Sequence, residues 1–160
     1  MKKLSIIIVM IVCVSSYAQS KFKEDVEVVQ SIYGKNKSEL IKEYMNLSDE
    51  QWVSFTKVYE SYETERKALG KAKLELINNY AANYNTLTDA KADELAKNTL
   101  KNNLAYEKLY SKTYNQVKKA IEAINAAKFI QLEVYLQTIV RSKIYDSIPF
   151  IGELDKTKVN

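Results

Sequence analysis

A long stretch without helix breakers is the feature that most constrains this chain. Between residues 23 and 146 there is no proline and only two glycines, and Ala, Leu, Lys, Glu and Gln dominate. No segment shows the sustained alternation of apolar and polar residues that is typical of a strand. The chain has 160 residues, and a domain usually has about 100–200. The sequence therefore predicts a single all-α domain.

The first 18 residues have the pattern of a secretory signal peptide. Lys2 and Lys3 precede an apolar run from Leu4 to Val14, and small residues lead to Ala18. The apolar run is shorter than the roughly 20 residues that a membrane-spanning helix needs. We therefore expect cleavage after Ala18 and no integral membrane insertion. Cleavage would leave a helical domain over residues 19–160, with an extended tail from about residue 147.

The same segment holds the only cysteine, Cys13. A lipoprotein would be acylated at this residue, but the branched Val12 stands before it and the apolar run continues past it. We therefore favour the cleaved signal. The mature chain would then have neither a disulfide nor a thiol nucleophile.

Composition narrows the chemistry further. The chain has no histidine, which is the side chain most used for proton transfer and metal binding in proteins. Its three glycines, Gly34, Gly70 and Gly152, are too far apart to form a phosphate-binding loop. We therefore predict that the protein is not an enzyme, with no catalytic residue, cofactor or metal site.

Cleavage at Ala18 would remove two of the 24 basic residues and none of the 20 acidic ones, which halves the net charge of +4. Acidic residues interleave with the basic ones, so we expect no nucleic-acid partner.

Helix caps place the first two of four predicted helices. The first is expected over about residues 25–45, with Gly34 as a weak point or break. The clearest start follows Leu47, where Ser48 can accept from the N–H of Gln51 while the Gln51 side chain reaches back to the N–H of Ser48. A helix from Asp49 to about residue 83 would be about 50 Å long.

The last two helices are predicted in the same way. Thr88 follows a turn over residues 83–88 and is expected to cap the third helix, which continues to Ile124. Asn125 is expected to cap the fourth helix. The repeating positions of that helix are Phe129, Leu132, Leu136, Ile139 and Lys143.

The motif at the second helix start carries a family resemblance. In an exported, histidine-free helical chain, Leu47, Ser48 and Gln51 resemble the motif of the LTxxQ family of periplasmic proteins, which are Spy- and CpxP-like. Ser48 stands where the motif has threonine. A degenerate second copy would consist of Ile124, Asn125 and Lys128. The following segment, with the later Ile-Pro-Phe at residues 148–150, is similar to a pattern in Bacteroidetes-type members.

The resemblance implies a fold and a function. It implies an antiparallel helical hairpin or thin curved bundle in the periplasm, with two long helices and a possible homodimer. It also implies binding of unfolded or aggregating envelope proteins without ATP, as a chaperone or as an envelope-stress adaptor. The alternative from another class is a structural or signalling protein that docks one specific partner through the same helical face.

Tyrosine is the most unusual residue count, with 12 in the chain. Tyr59 and Tyr62 share one stripe of the second helix, and Tyr106, Tyr110 and Tyr114 follow one another at four-residue steps on the third. A ring with a polar hydroxyl suits adaptable binding, so these five residues are candidate client contacts. The alternative, which we favour, is that they fill a half-buried packing seam between thin helical layers.

Overall fold

The structure is a computed structural model that describes residues 32–146, 148, 149 and 151. Its four helices are α1 (Lys37–Met45), α2 (Asp49–Asn83), α3 (Asp89–Ile121) and α4 (Ala123–Tyr145), and a 3-10 turn (Tyr84–Thr86) follows α2. The described residues contain no strand. The predicted all-α class with two long helices is therefore confirmed. The predicted signal peptide, the first helix before residue 32 and most of the predicted tail lie outside the described residues.

The two long helices form an antiparallel hairpin. Lys112 of α3 forms an ion pair with Glu65 of α2 (Nζ–Oε1 2.6 Å), and farther along the hairpin the Asn102 side-chain amide donates to the Leu69 carbonyl (3.0 Å). The apolar stripe of α2 thus faces that of α3 over its length.

The fourth helix covers only part of this hairpin. It starts beside the first turns of α2, where Phe129 meets Phe55 with ring centroids 5.1 Å apart, and it packs along α3. It has 23 residues, whereas α2 has 35 and α3 has 33. At 1.5 Å per residue α4 is about 35 Å long and the hairpin about 50 Å. The hairpin therefore continues beyond the end of α4, and the tail residues Ile148, Pro149 and Ile151 lie there.

Three helix starts carry side-chain caps. The predicted box at α2 is confirmed, because the Gln51 N–H donates to Ser48 Oγ (3.2 Å) and the Ser48 N–H donates to Gln51 Oε1 (3.3 Å). Thr88 accepts from the Lys91 N–H as predicted. Gly34 has a φ of +66°, and α1 begins after it with an unpredicted box at Asn36. The predicted break in the first helix is thus confirmed at Gly34.

The predicted boundary between the third and fourth helices is wrong. The third helix ends at Ile121 rather than Ile124, and Glu122, with a φ of 73°, reverses the chain in a single residue. Asn125 does not cap α4, because it already lies within this helix. Its side-chain amide donates to the Ile121 carbonyl (3.0 Å), one of the carbonyls that the end of α3 leaves without a helical partner. The second copy of the motif therefore does not form a capped start, and Ile124 is 83% exposed.

The helices close around one core at the end of the bundle where α4 begins. We call it the proximal core. Its buried members are Ile41, Met45, Phe55, Tyr59, Tyr62, Tyr106, Leu109, Tyr110, Val117, Ile121, Ala126, Phe129, Leu132 and Leu136.

Candidate binding groove

Four of the five tyrosines nominated from the sequence lie in the proximal core. Tyr59 is 8% exposed, Tyr62 1%, Tyr106 3% and Tyr110 6%, while Tyr114 is half-buried against the same core. Their positions match the packing-seam alternative. Contact between the four buried rings and another protein would require the helices to separate.

Phe129 organises these rings. It meets the Tyr59 ring at 6.1 Å and the Tyr62 ring at 5.4 Å between centroids, both edge to face. This arrangement places the positive edge of one ring against the negative face of the next. The three rings, with Phe55, therefore form a fixed joint between α2 and α4.

A cluster of buried charges lies beside this joint. Lys37 Nζ donates to Glu133 Oε2 and to Glu63 Oε1, each at 2.7 Å, and so links α1 to α4 and α2. Arg66 Nε donates to Glu63 Oε1 at 2.7 Å, and the Tyr62 hydroxyl donates to Glu133 Oε2 at 2.5 Å. We call Lys37, Glu63, Arg66 and Glu133 the ionic cluster. Its two acids and two bases balance, and its contacts hold α1 on the bundle.

Burial dominates the electrostatics of this region. Burial raises the pKa of Glu63 above its usual value, although Lys37 opposes the shift. Burial likewise raises the pKa of Tyr62, with the Glu133 carboxylate as the next cause, and lowers the pKa of Arg66. The charged side chains of the ionic cluster are therefore stabilised by one another rather than by water. We assign the ionic cluster a structural role.

An open cavity lies at the other end of the hairpin, beyond the end of α4. We call it the distal groove, and its volume is about 360 Å³. Its lining residues are Lys73, Leu76, Ile77 and Tyr80 of α2, Leu87 of the turn, Ala92, Leu95, Ala96 and Thr99 of α3, Tyr145 of α4, and Ile148, Pro149 and Ile151 of the tail. Nearly all of these side chains present carbon atoms, so the groove is mainly apolar.

The groove has a buried floor and more accessible walls. Ile77 and Leu95 are each 6% exposed, whereas Tyr145 is 43% and Ile151 68% exposed. The Tyr80 hydroxyl donates to the Pro149 carbonyl (2.9 Å), which holds the tail along one wall. A more polar depression of about 600 Å³ adjoins the groove at the turn and shares Leu87, Ala92 and Ile151 with it. The apolar surface is thus reachable from outside.

The main polar group in the groove is Lys73. Its Nζ donates to the Asn103 side-chain oxygen at 3.3 Å. Burial lowers the pKa of Lys73, and the positive charge of Arg141 on α4 lowers it further. The groove therefore combines apolar walls with a basic end.

The sequence identified some groove residues without identifying the groove. Leu76 and Tyr80 recur at helical spacing on α2, and Ala92, Leu95 and Thr99 do so on α3. Helical spacing predicts that each set lies on one face but does not distinguish a packing surface from the wall of a groove. The groove exists because α4 ends before the hairpin does, and helix ends are poorly marked in a sequence.

Two further properties bear on function. In the described part of the chain no helix is long and apolar enough to cross a membrane. In the same residues no group of three or more acidic, His or Cys side chains is placed to hold a metal ion.

Comparisons with family models, with curated proteins and with solved structures find no match for this chain. The resemblance to the LTxxQ family therefore stays a prediction.

Proposed function

We propose that this protein is exported to the periplasm, where it binds apolar segments of unfolded envelope proteins in the distal groove without ATP. It acts there as a chaperone or an envelope-stress adaptor. The observation that carries the proposal is the open apolar groove of about 360 Å³ between the ends of the two long helices. The proposal places binding in this groove rather than on the five tyrosines nominated from the sequence.

The size of the groove suits a short segment. Ligand sites usually have volumes of about 300–1,000 Å³, which accommodates a few side chains but not a folded domain. Burying roughly 200 Å² of apolar ligand surface gives about 5 kcal/mol before the costs of ordering the segment. Binding would therefore be weak and reversible, which suits transient capture of many different segments.

Aggregation suppression tests the proposal. The exported protein, purified from the periplasm, should suppress aggregation of several unrelated denatured proteins at near-stoichiometric ratios without nucleotide. Mass spectrometry of the same sample tests cleavage after Ala18. Failure to suppress aggregation of any denatured protein would contradict the proposal.

A matched pair of variants locates the activity. Ala96 is exposed and lines the groove, so Ala96→Trp should fill the groove without overpacking the core and should abolish suppression. Ala82 is exposed on α2 and lines neither depression, so Ala82→Trp should leave suppression intact. Equal effects of the two substitutions would show that the groove is not the binding site. Enrichment of one stoichiometric partner from periplasm, without general suppression, would favour the single-partner alternative.

A further inference from the structure

We infer that the distal groove selects apolar peptide segments that end in a carboxylate, and that Lys73 recognises this carboxylate. The inference rests on the proposed function, because it names the class of segment that the same groove takes.

Lys73 places a positive charge beside the apolar lining of the groove. It lies one helical turn before Leu76 and Ile77, so its side chain lines the same groove as theirs. The hydrogen-bond partner of its ammonium is the neutral oxygen of Asn103. A segment that fills the apolar part of the groove would thus bring its end close to a cation.

Lys73 and Arg141 differ from the basic residues of the ionic cluster. In the ionic cluster, Lys37 is paired with Glu63 and Glu133, and Arg66 with Glu63. Neither Lys73 nor Arg141 forms an ion pair with any residue that the structure describes. The described groove lining also contains no acidic side chain.

The two cations affect one another. The Arg141 guanidinium lies 5.6 Å from the centroid of the Tyr106 ring, which supports it by a cation–π contact. Its charge is one cause of the lowered pKa of Lys73, so the two groups are close enough to repel. A carboxylate at Lys73 would offset this repulsion and replace the water that Lys73 loses on burial. Charge complementarity therefore favours an acidic end and disfavours a basic one.

Paired peptides test the inference on the full protein. The probes are two fluorescein-labelled peptides with the same run of five leucine and alanine residues, one ending in a free carboxylate and the other in an amide. Fluorescence anisotropy at low salt gives both dissociation constants. We expect the carboxylate peptide to bind about fivefold more tightly, the size expected for a partly exposed ion pair.

Three variants test which basic side chain causes the preference for the carboxylate peptide. Lys73→Met keeps the length of the side chain and removes its charge, so it should abolish the preference for the carboxylate peptide over the amide peptide. Arg141→Gln should reduce the preference. Lys71→Met removes the same charge from an exposed position two residues away and should preserve it.

The outcomes separate this inference from the proposed function. Equal binding of the two peptides by the wild-type protein would overturn the inference and leave the proposed function standing. Binding of neither peptide would overturn both. A preference that persists in Lys73→Met would also overturn the inference. Displacement of both peptides by dodecanoate at much lower concentration would assign the groove to a single-chain lipid and overturn the peptide assignment.

Discussion

The two ends of the bundle are formed by the same pair of long helices, but the proximal end is a closed core and the distal end is an open groove. At the proximal end α4 and α1 complete the packing, Phe55 and Phe129 are fully buried, and the ionic cluster pairs its charges. At the distal end α4 stops at Tyr145, and the stripe of α2 that is core at Phe55 becomes a groove wall at Leu76. An amphipathic stripe thus becomes core or groove wall according to whether a third helix covers it.

Truncating one apolar side chain at each end gives the largest expected difference. Phe129→Ala should lower the free energy of unfolding by about 4 kcal/mol, because the ring is fully buried and a cavity would remain. Leu76→Ala should cost only about 1 kcal/mol, because Leu76 is only partly buried and lines the open groove. Urea unfolding measures both. Similar losses would show that the distal end is packed as tightly as the proximal one.

Removing one charge from the ionic cluster gives the next largest effect. Lys37→Met should cost about 3 kcal/mol, because it leaves the buried Glu133 without its cation. Lys97 pairs with Asp93 in the open on α3, so Lys97→Met should cost less than about 0.5 kcal/mol. Adding Glu133→Gln to Lys37→Met should recover part of the loss. If Lys37→Met costs no more than Lys97→Met, the cluster does not hold the proximal end together.

The buried tyrosines of the proximal core predict a loss of stability in alkali. Burial raises the pKa of Tyr59, Tyr62 and Tyr110 above 10.0, so their neutral forms stabilise the folded state fully below pH 10. As the pH rises above 10 the unfolded chain loses protons that the folded chain retains, and stability falls by about 1.4 kcal/mol per pH unit for each ring. In Tyr62→Phe the free energy of unfolding should therefore fall less steeply with pH, by about 1.4 kcal/mol per pH unit. Unfolding measured between pH 9 and 11 checks the slope, and equal slopes would contradict the burial of Tyr62.

The smallest expected effects compare two residues that the sequence assigned to the same role. Ser48→Ala should cost about 1 kcal/mol, because Ser48 caps α2. Asn125→Ala should cost less than about 0.5 kcal/mol, because the lost bond to the Ile121 carbonyl at the end of α3 is partly offset by the higher helix propensity of Ala within α4. Thermal unfolding resolves the difference. Equal losses would restore Asn125 as a cap.

These two residues also show how far the sequence could predict the fold. Ser48 and Thr88 follow a turn and precede a long amphipathic run, so local chemistry alone determines their role. Asn125 is also a residue that is favoured at helix caps, but it follows a reversal at Glu122, where a positive φ replaces a turn of several residues. A non-glycine residue in that conformation leaves little trace in a sequence. The helix was therefore predictable and its first residue was not.

The candidate site shows the same limit at a larger scale. The tyrosine stripe marked an aromatic surface, but whether Tyr62 faces solvent depends on the position of Phe129, which is 67 residues later in the chain. The distal groove depends on the length of α4 relative to the hairpin. Both are tertiary properties, and the periodicity of a single helix does not determine them.

We propose that binding takes place at the distal end while the proximal core stays closed. Methyl NMR during titration with the carboxylate-ended apolar peptide tests it most directly. We predict chemical-shift changes at Leu76, Ile77 and Leu95, with the signals of Ile41 and Val117 unchanged. Changes concentrated at Ile41 and Val117, with the groove methyls unaffected, would contradict the claim and place binding in the tyrosine-rich proximal core.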